Sequence, residues 1–314
     1  MDFTSFTDLL AKLHDCDFCP RKCHSDRFSG KLGYCKSDAS FNISSICIHK
    51  GEEPAISGKD GICNVFFTHC NLQCIYCQNY QISDNMTSNI STKRELDDVI
   101  RQITTILDSG ISRVGFVSPS HSIPQVKIII HSIHSLGYDP VWVYNTNGYD
   151  KPESLRSLEG MIDVYLPDFK YMEAALSGKY SDAPDYPEVA ARALKEMFRQ
   201  KGAALHSGKD GTAESGMIIR HLVLPGHIQN SLKILNFIAE EFSPKLHISL
   251  MSQYYPTPRV GCHPGLSNTV TTEEYSLVVS EMDRLGMYNG WIQELSSASD
   301  YQPDFEKKHP FDKS

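Results

Sequence analysis

Seven of the ten cysteines in this 314-residue chain crowd into two short stretches, and that crowding limits the fold more than any other feature. Cys16, Cys19, Cys23 and Cys35 lie within the first 50 residues, among Gly, Pro and Ser. Cys70, Cys74 and Cys77 share one loop, Cys70-Asn-Leu-Gln-Cys74-Ile-Tyr-Cys77. The opening residues, Met1 to Leu13, are acidic and mixed, and read as neither a signal nor a transit peptide. The expected compartment is therefore the cytoplasm, where thiols stay reduced, and clustered reduced thiols point to metal rather than to disulfides. Cys47, Cys63 and Cys262 stand apart and read as small apolar residues.

After the first cysteine group a βα rhythm sets in. Phe41–Ile48 and Val65–Thr68 have β-type composition and are joined by the turn-rich stretch His49–Gly61. Further strands are predicted at Arg113–Ser118, Val141–Thr146, Met161–Phe169, Met217–Leu224 and Leu246–Met251. Leu96, Val99, Ile100, Ile103 and Leu107 recur at helical spacing, and Thr92 with Glu95 predicts a capping box at that helix's start. Helices are also predicted at Pro124–Leu136, Pro152–Leu158, Pro187–Gln200, Ser231–Glu241 and Thr272–Leu285. Six strands alternating with helices predict an α/β fold with a parallel sheet and helices outside. Residues 1–50 read as a small metal-pinned module, 51–290 as the main domain, and 291–314 as an irregular tail packed on its surface.

Apolar residues make up 40% and charged residues 22%, as in an ordinary globular chain. The net charge of −8 weighs against nucleic acid or an anionic membrane as partner, since both require a basic face. No apolar run approaches the roughly 20 residues that span a bilayer.

The Cys70–Cys77 loop directly follows a predicted strand. In parallel α/β folds the C-terminal strand ends carry the chemistry, because the loops there converge on one open face. Three thiolates on one loop can hold three irons of a cubane and leave the fourth iron open. A three-cysteine zinc site is the competing reading. The spacing, with Tyr76 before the last cysteine, resembles the signature of the radical S-adenosylmethionine (SAM) superfamily. The likeness extends to the pyruvate formate-lyase activating enzyme group and to a branch of it of uncharacterised substrate. The matching stretches are Gly51–Pro54, Cys70–Ser83, Tyr144–Tyr149, Asp163–Tyr171, Arg220–Gly226 and Met251–Pro256.

This resemblance implies a partial (β/α)6 TIM-like barrel, with a [4Fe–4S] cluster on Cys70, Cys74 and Cys77 and SAM chelating the open iron. It implies hydrogen abstraction by a 5′-deoxyadenosyl radical, an electron donor such as flavodoxin or ferredoxin, and a glycyl radical enzyme or another peptide as substrate. The family's Gly-Gly-Glu-Pro stretch after the second strand is replaced by Ser118-Pro119-Ser120-His121. Ser118, Ser120 and His121 are the candidates to stand in for it. Gly51-Glu-Glu-Pro54 precedes the cluster loop and so is not that element. Asn145 occupies the place of an acid in the activating enzymes, which puts their cation site in doubt, whereas Thr146, Asn147, Gly148, Asp168 and Lys170 match. Tyr76 and these residues, with His227 after Pro225-Gly226, form the expected cofactor-binding set. Arg220 and Arg259 read as solvated or salt-bridged, with a substrate carboxylate as the alternative; Gln253 and Tyr255 are candidate pocket residues, and His221 reads as core.

Cys16, Cys19, Cys23 and Cys35 offer a closed set of four ligands, which suits a structural Zn²⁺ or an auxiliary iron–sulfur cluster equally. Two non-enzymatic readings stand beside the radical enzyme: an iron–sulfur electron carrier or sensor that binds no SAM, and a zinc-stabilised binding module.

Overall fold

The computed structural model describes residues 6–86, 93–261, 263–299, 302–307 and 309–311. Helix α1 (Phe6–Ala11) leads through the cysteine-rich stretch to strand β1 (Phe41–His49), a single helical turn α2 (Pro54–Ser57) and strand β2 (Ile62–Phe67). The cluster loop ends in α3 (Tyr80–Ser83), and β3 (Lys93–Arg94) precedes the repeating part. There α4 (Leu96–Asp108), β4 (Arg113–Val117), α5 (Ile123–Ser135), β5 (Val141–Thr146), α6 (Pro152–Arg156) and β6 (Val164–Pro167) alternate. Helices α7 (Ala174–Ser181) and α8 (Tyr186–Lys201), with the short β7 (His206–Ser207), precede β8 (Ala213–Leu222). The chain closes with α9 (Ile228–Glu241), β9 (His247–Met251), α10 (Thr272–Arg284) and β10 (Gly290–Ile292).

Strands β2, β4, β5, β6, β8, β9 and β10 lie side by side in that order, all parallel, while β1 pairs antiparallel with β2. The strand path runs from β10 to β3 and has two ends, so the sheet curls without closing. This is the expected α/β barrel cut short, with seven parallel strands among the described residues where six were predicted. Strand Gly290–Ile292 has Trp291 and Ile292 in the tail read as irregular, yet it pairs in parallel with Ile248–Leu250. Thr92 lies outside the described residues; α4 starts at Leu96 with Glu95 itself at the N-cap and without a side-chain cap, so Glu95 does not close a box.

Side chains alternate across each strand. One set faces the helices: Val65 and Phe67, Val114 and Phe116, Trp142 and Tyr144, and Ile219 with Ile248 and Leu250 join the main core with Ile103, Ile129 and Leu194. The other set points inward. Its lower part is apolar: Ile62, Val143, Val164, Leu166 and Ile218 pack on Ala55 and Ile56 of α2, which plugs the bottom of the barrel. Its upper part is polar, with Asn145, Asp168, Arg220 and Ser249. Gly115 makes room inside, since a Cβ there would sit 2.3 Å from the Asn64 amide oxygen.

The first 50 residues share the main core through Leu9, Leu13, Cys16 and Phe18. Phe305 and Phe311 of the tail pack against Phe66 and Val117 beside the barrel's open side. Among the described residues, no helix is long and apolar enough to cross a membrane.

Candidate functional site

Strand β2 ends at Phe67, and His69 turns the chain with a left-handed backbone (φ 64°) straight into Cys70. The loop that follows is pinned from outside. The Gln73 and Ile75 amides donate to the Ser181 and Tyr180 carbonyls at 3.3 and 2.9 Å. Asn71 Nδ2 donates to the Tyr149 carbonyl at 2.7 Å, and Asn85 brackets Cys70 by accepting from its amide (3.2 Å) and donating to its carbonyl (2.9 Å).

Each of the three sulfurs receives a hydrogen bond. Cys70 Sγ accepts from Asn147 Nδ2 at 3.2 Å and from the Leu72 amide at 3.4 Å; Ser181 Oγ donates to Cys74 Sγ at 3.0 Å, and Ser83 Oγ to Cys77 Sγ at 3.2 Å. Donors aimed at sulfur favour the thiolate form, which is the form that binds iron. Without metal, burial pushes the Cys70 thiol up to about 12, so loading the site releases protons. Lys170 is buried and lies close enough to Cys74 and Cys77 for their charge to raise its pKa, with Asp168 contributing most. Among the described residues no three Cys, His, Asp or Glu side chains converge as they would around a single ion.

The three cysteines open onto a cavity of about 480 Å³ at the C-terminal strand ends, a size usual for small-molecule sites. The cysteines among its lining residues are these three. Tyr76, Ser118, Asn145, Thr146, Asn147, Asp168, Lys170 and Gln253 line it. Tyr76 bonds the Tyr171 hydroxyl at 2.6 Å, and Lys170 Nζ pairs with Asp168 Oδ2 at the same distance. Gly148 (φ 80°) lets the β5 end lie on the β6 end, since a Cβ would be 2.3 Å from the Asp168 carbonyl. Tyr186 clamps the two by donating to the carbonyls of Asn147 (2.9 Å) and Asp168 (3.0 Å).

Ser120, His121 and His227 do not line this cavity. Ser120 shares a hydrogen bond with Thr146 Oγ1 at 3.0 Å. His121 is fully buried against Phe67 with Nε2 3.0 Å from the Thr68 carbonyl, and burial lowers its pKa to about 3, so it is neutral. His227 bonds the Tyr180 hydroxyl at 3.0 Å beside a separate small hollow. Arg259 reaches Gln73, Tyr255 lies off the cavity lining, and His221 is held in the core by the Phe169 carbonyl and Ser231. Cys262 is outside the described residues.

The cavity floor was not foreseen. Gly51-Glu-Glu-Pro54 rises from the bottom of the barrel and lines it. Glu52 accepts from Arg220 at 2.9 Å, Asn64 at 2.9 Å and Asn145 at 3.2 Å. Arg220 Nε also lies 3.2 Å from Asp168 Oδ1 and 3.8 Å from Glu53 Oε1. Arg220 is thus an inward, buried cation shared by three carboxylates, not a solvated residue. Burial pushes the Glu53 carboxyl up despite Arg220, whereas Lys170 and then Arg220 hold Asp168 below the ordinary carboxylate range.

A family model described as a 4Fe-4S single cluster domain matches residues 56–186, which contain the cysteine trio and the first half of the barrel. The FeFe-hydrogenase maturase HydG from Carboxydothermus hydrogenoformans superposes with a TM-score of 0.50 at 12% identity, over 76% of this chain and 55% of its own. The chain thus carries a stretch similar to a 4Fe-4S single cluster domain and shares its fold with HydG. SuiB of Streptococcus suis, solved bound to S-adenosylmethionine, superposes with a TM-score of 0.48 at 12% identity over 72% of this chain and 48% of its own. The chain spans about half the length of these two structures. An uncharacterized protein of Methanocaldococcus jannaschii is 26% identical over 265 residues, 83% of this chain and 72% of its own length.

Proposed function

We propose that this chain is an enzyme that cleaves SAM reductively at a cluster held by Cys70, Cys74 and Cys77 and uses the product to remove hydrogen from a substrate carbon. The observation that carries the reading is the cysteine trio at the strand ends, opening onto a cavity whose lining, among the described residues, holds no fourth cysteine. When bound and reduced, the cluster with SAM supplies a 5′-deoxyadenosyl radical. The chain's own residues hold and orient. Asn147, Ser181 and Ser83 fix the sulfurs. Asn145, Thr146, Asn147 and Ser118 line the cavity beside the trio and would face the polar parts of SAM. Asp168 and Lys170 present a buried charge pair beside Cys74, suited to an amino or carboxylate group. Ser118 cannot offer its amide, which already donates to the Asn145 carbonyl at 2.9 Å.

The finer reading is activation of a glycyl radical enzyme, with an electron donor of the flavodoxin or ferredoxin type in the cytoplasm. Its support is the sequence likeness at Tyr144–Tyr149 and Asp163–Tyr171. Modification of a different peptide or of a small molecule is the alternative within the same chemistry.

The test is to incubate reconstituted protein with dithionite and SAM in the absence of oxygen. 5′-Deoxyadenosine should accumulate in the wild type and not in Cys74→Ala. Equal, background amounts in both would instead favour a non-catalytic electron carrier.

A further inference from the structure

The four N-terminal cysteines form a second site that the single-cluster match at 56–186 does not reach. Cys16, Cys19 and Cys35 are buried and reduced, and Cys23 is half-buried. Cys19 lies close enough to Cys16, Cys23 and Cys35 to feel the charge of each. The surroundings are arranged for thiolates. Arg27, 2% exposed, donates from Nε to Cys16 Sγ at 3.2 Å and from Nη2 to Cys35 Sγ at 3.7 Å. Its Nη1 is buried without a partner. The Tyr34 amide donates to Cys23 Sγ at 3.3 Å. Gly33 is pressed against the same residue, where a Cβ would meet Cys23 Sγ at 2.8 Å. Left-handed backbone, rare outside glycine, recurs at Lys22 (φ 43°), His24 (φ 50°) and Lys36 (φ 55°), all adjacent to these cysteines. Such strain persists where the surroundings over-determine it.

We propose that Cys16, Cys19, Cys23 and Cys35 hold a second [4Fe–4S] cluster, closed on all four irons. The grouping of the four ligands along the chain favours it over zinc. Structural zinc takes its ligands as two close pairs, whereas iron–sulfur sites recurrently place three cysteines on one short loop and a fourth farther on. Here Cys16-x2-Cys19-x3-Cys23 is such a loop and Cys35 is the distant fourth.

The second site is docked directly behind the first. The Tyr34 amide bonds Cys23 Sγ, the Tyr34 carbonyl accepts from Asn85 Nδ2 at 3.0 Å, and Asn85 Oδ1 accepts from the Cys70 amide at 3.2 Å. Arg21, between Cys19 and Cys23, donates to the Asn71 carbonyl at 2.9 Å and stacks on Tyr34 at 3.7 Å. An unbroken run of three hydrogen bonds therefore joins a ligand of one cluster to a ligand of the other.

The test is metal analysis of the full-length protein, purified and reconstituted without oxygen. The expected content is about eight irons and eight sulfides per chain with no zinc. It should fall to about four in Cys16→Ser/Cys19→Ser and to about four in Cys70→Ser/Cys74→Ser/Cys77→Ser. The triple variant leaves the quartet intact, so it decides the matter even if the double variant does not fold. It should show the Mössbauer doublet of a diamagnetic [4Fe–4S]²⁺ cluster. A triple variant carrying zinc, no metal, or two irons overturns the proposal. Failure of SAM cleavage would not touch it, because the metal content is read without SAM.

Discussion

Replacing Arg220 by methionine removes the cation that Glu52, Glu53 and Asp168 share at 2.9, 3.8 and 3.2 Å. All four side chains are at least four-fifths buried. Asp168 keeps Lys170, and Glu52 keeps the amides of Asn64 and Asn145. Glu53 keeps little beyond the Ser249 hydroxyl. Breaking a buried ion pair by removing one partner costs about 3–5 kcal/mol, so the folding equilibrium constant should drop roughly a hundredfold or more at pH 8. The loss must depend on pH in a definite direction. Glu53 binds its proton more tightly folded than unfolded, and more tightly still without Arg220. Lowering the pH towards 5 neutralises it in the folded state first and narrows the gap between variant and wild type. Equilibrium urea unfolding at both pH values reads the difference, and Glu53→Gln added to Arg220→Met should recover part of it. A deficit below about 1 kcal/mol, or one equal at pH 8 and pH 5, would refute this account of the floor.

Asn147→Ala removes the bonds to Cys70 Sγ and Asn71 Oδ1; protein-film voltammetry should show a more negative cluster potential, at about 1 kcal/mol per lost bond. Gly148→Ala places a Cβ against the Asp168 carbonyl at φ 80°, and thermal melting should show a loss of at least about 1–3 kcal/mol. His121 titrates near 3 folded against an ordinary 6.5, so the unfolded chain binds the proton first and stability is lost as pH falls below about 6.5. His121→Gln should flatten that acid limb of the stability–pH curve, and an unchanged slope would count against burial as its cause. Ser181→Ala should lower iron retention under chelator challenge by removing the 3.0 Å bond to Cys74 while leaving Ser83 and Asn147 in place.

What the sequence disclosed follows from how local each signal is. The cysteine trio, the strand ends at Asn145–Asn147 and Asp168, and the helices flanking them are written in short-range spacing and period. Arg220 and Glu52 stand 168 positions apart, and nothing local marks their meeting. A signal was nonetheless present: in Met217–Leu222 the period of two puts Arg220 on the same face as Ile218 and Leu222, which makes it an inward charge in need of a carboxylate. Gly290–Ile292 escaped notice because a three-residue strand has no period of its own. It exists through its pairing with β9, where Gly290 lies so close to Ile248 that a Cβ would meet the backbone at 1.9 Å. Helix α7 carries Ser and Gly where a helix favours Ala and Leu. Its place is set by the Tyr180 and Ser181 carbonyls, which receive the amides of the cluster loop.

Pro303 and Phe311 line the same cavity as Cys70. Residues more than 220 positions downstream of the cysteines therefore complete the chamber that the cysteines begin. Until that stretch docks, the chamber lacks a side wall, so iron delivered before docking would meet a half-built, oxygen-accessible pocket.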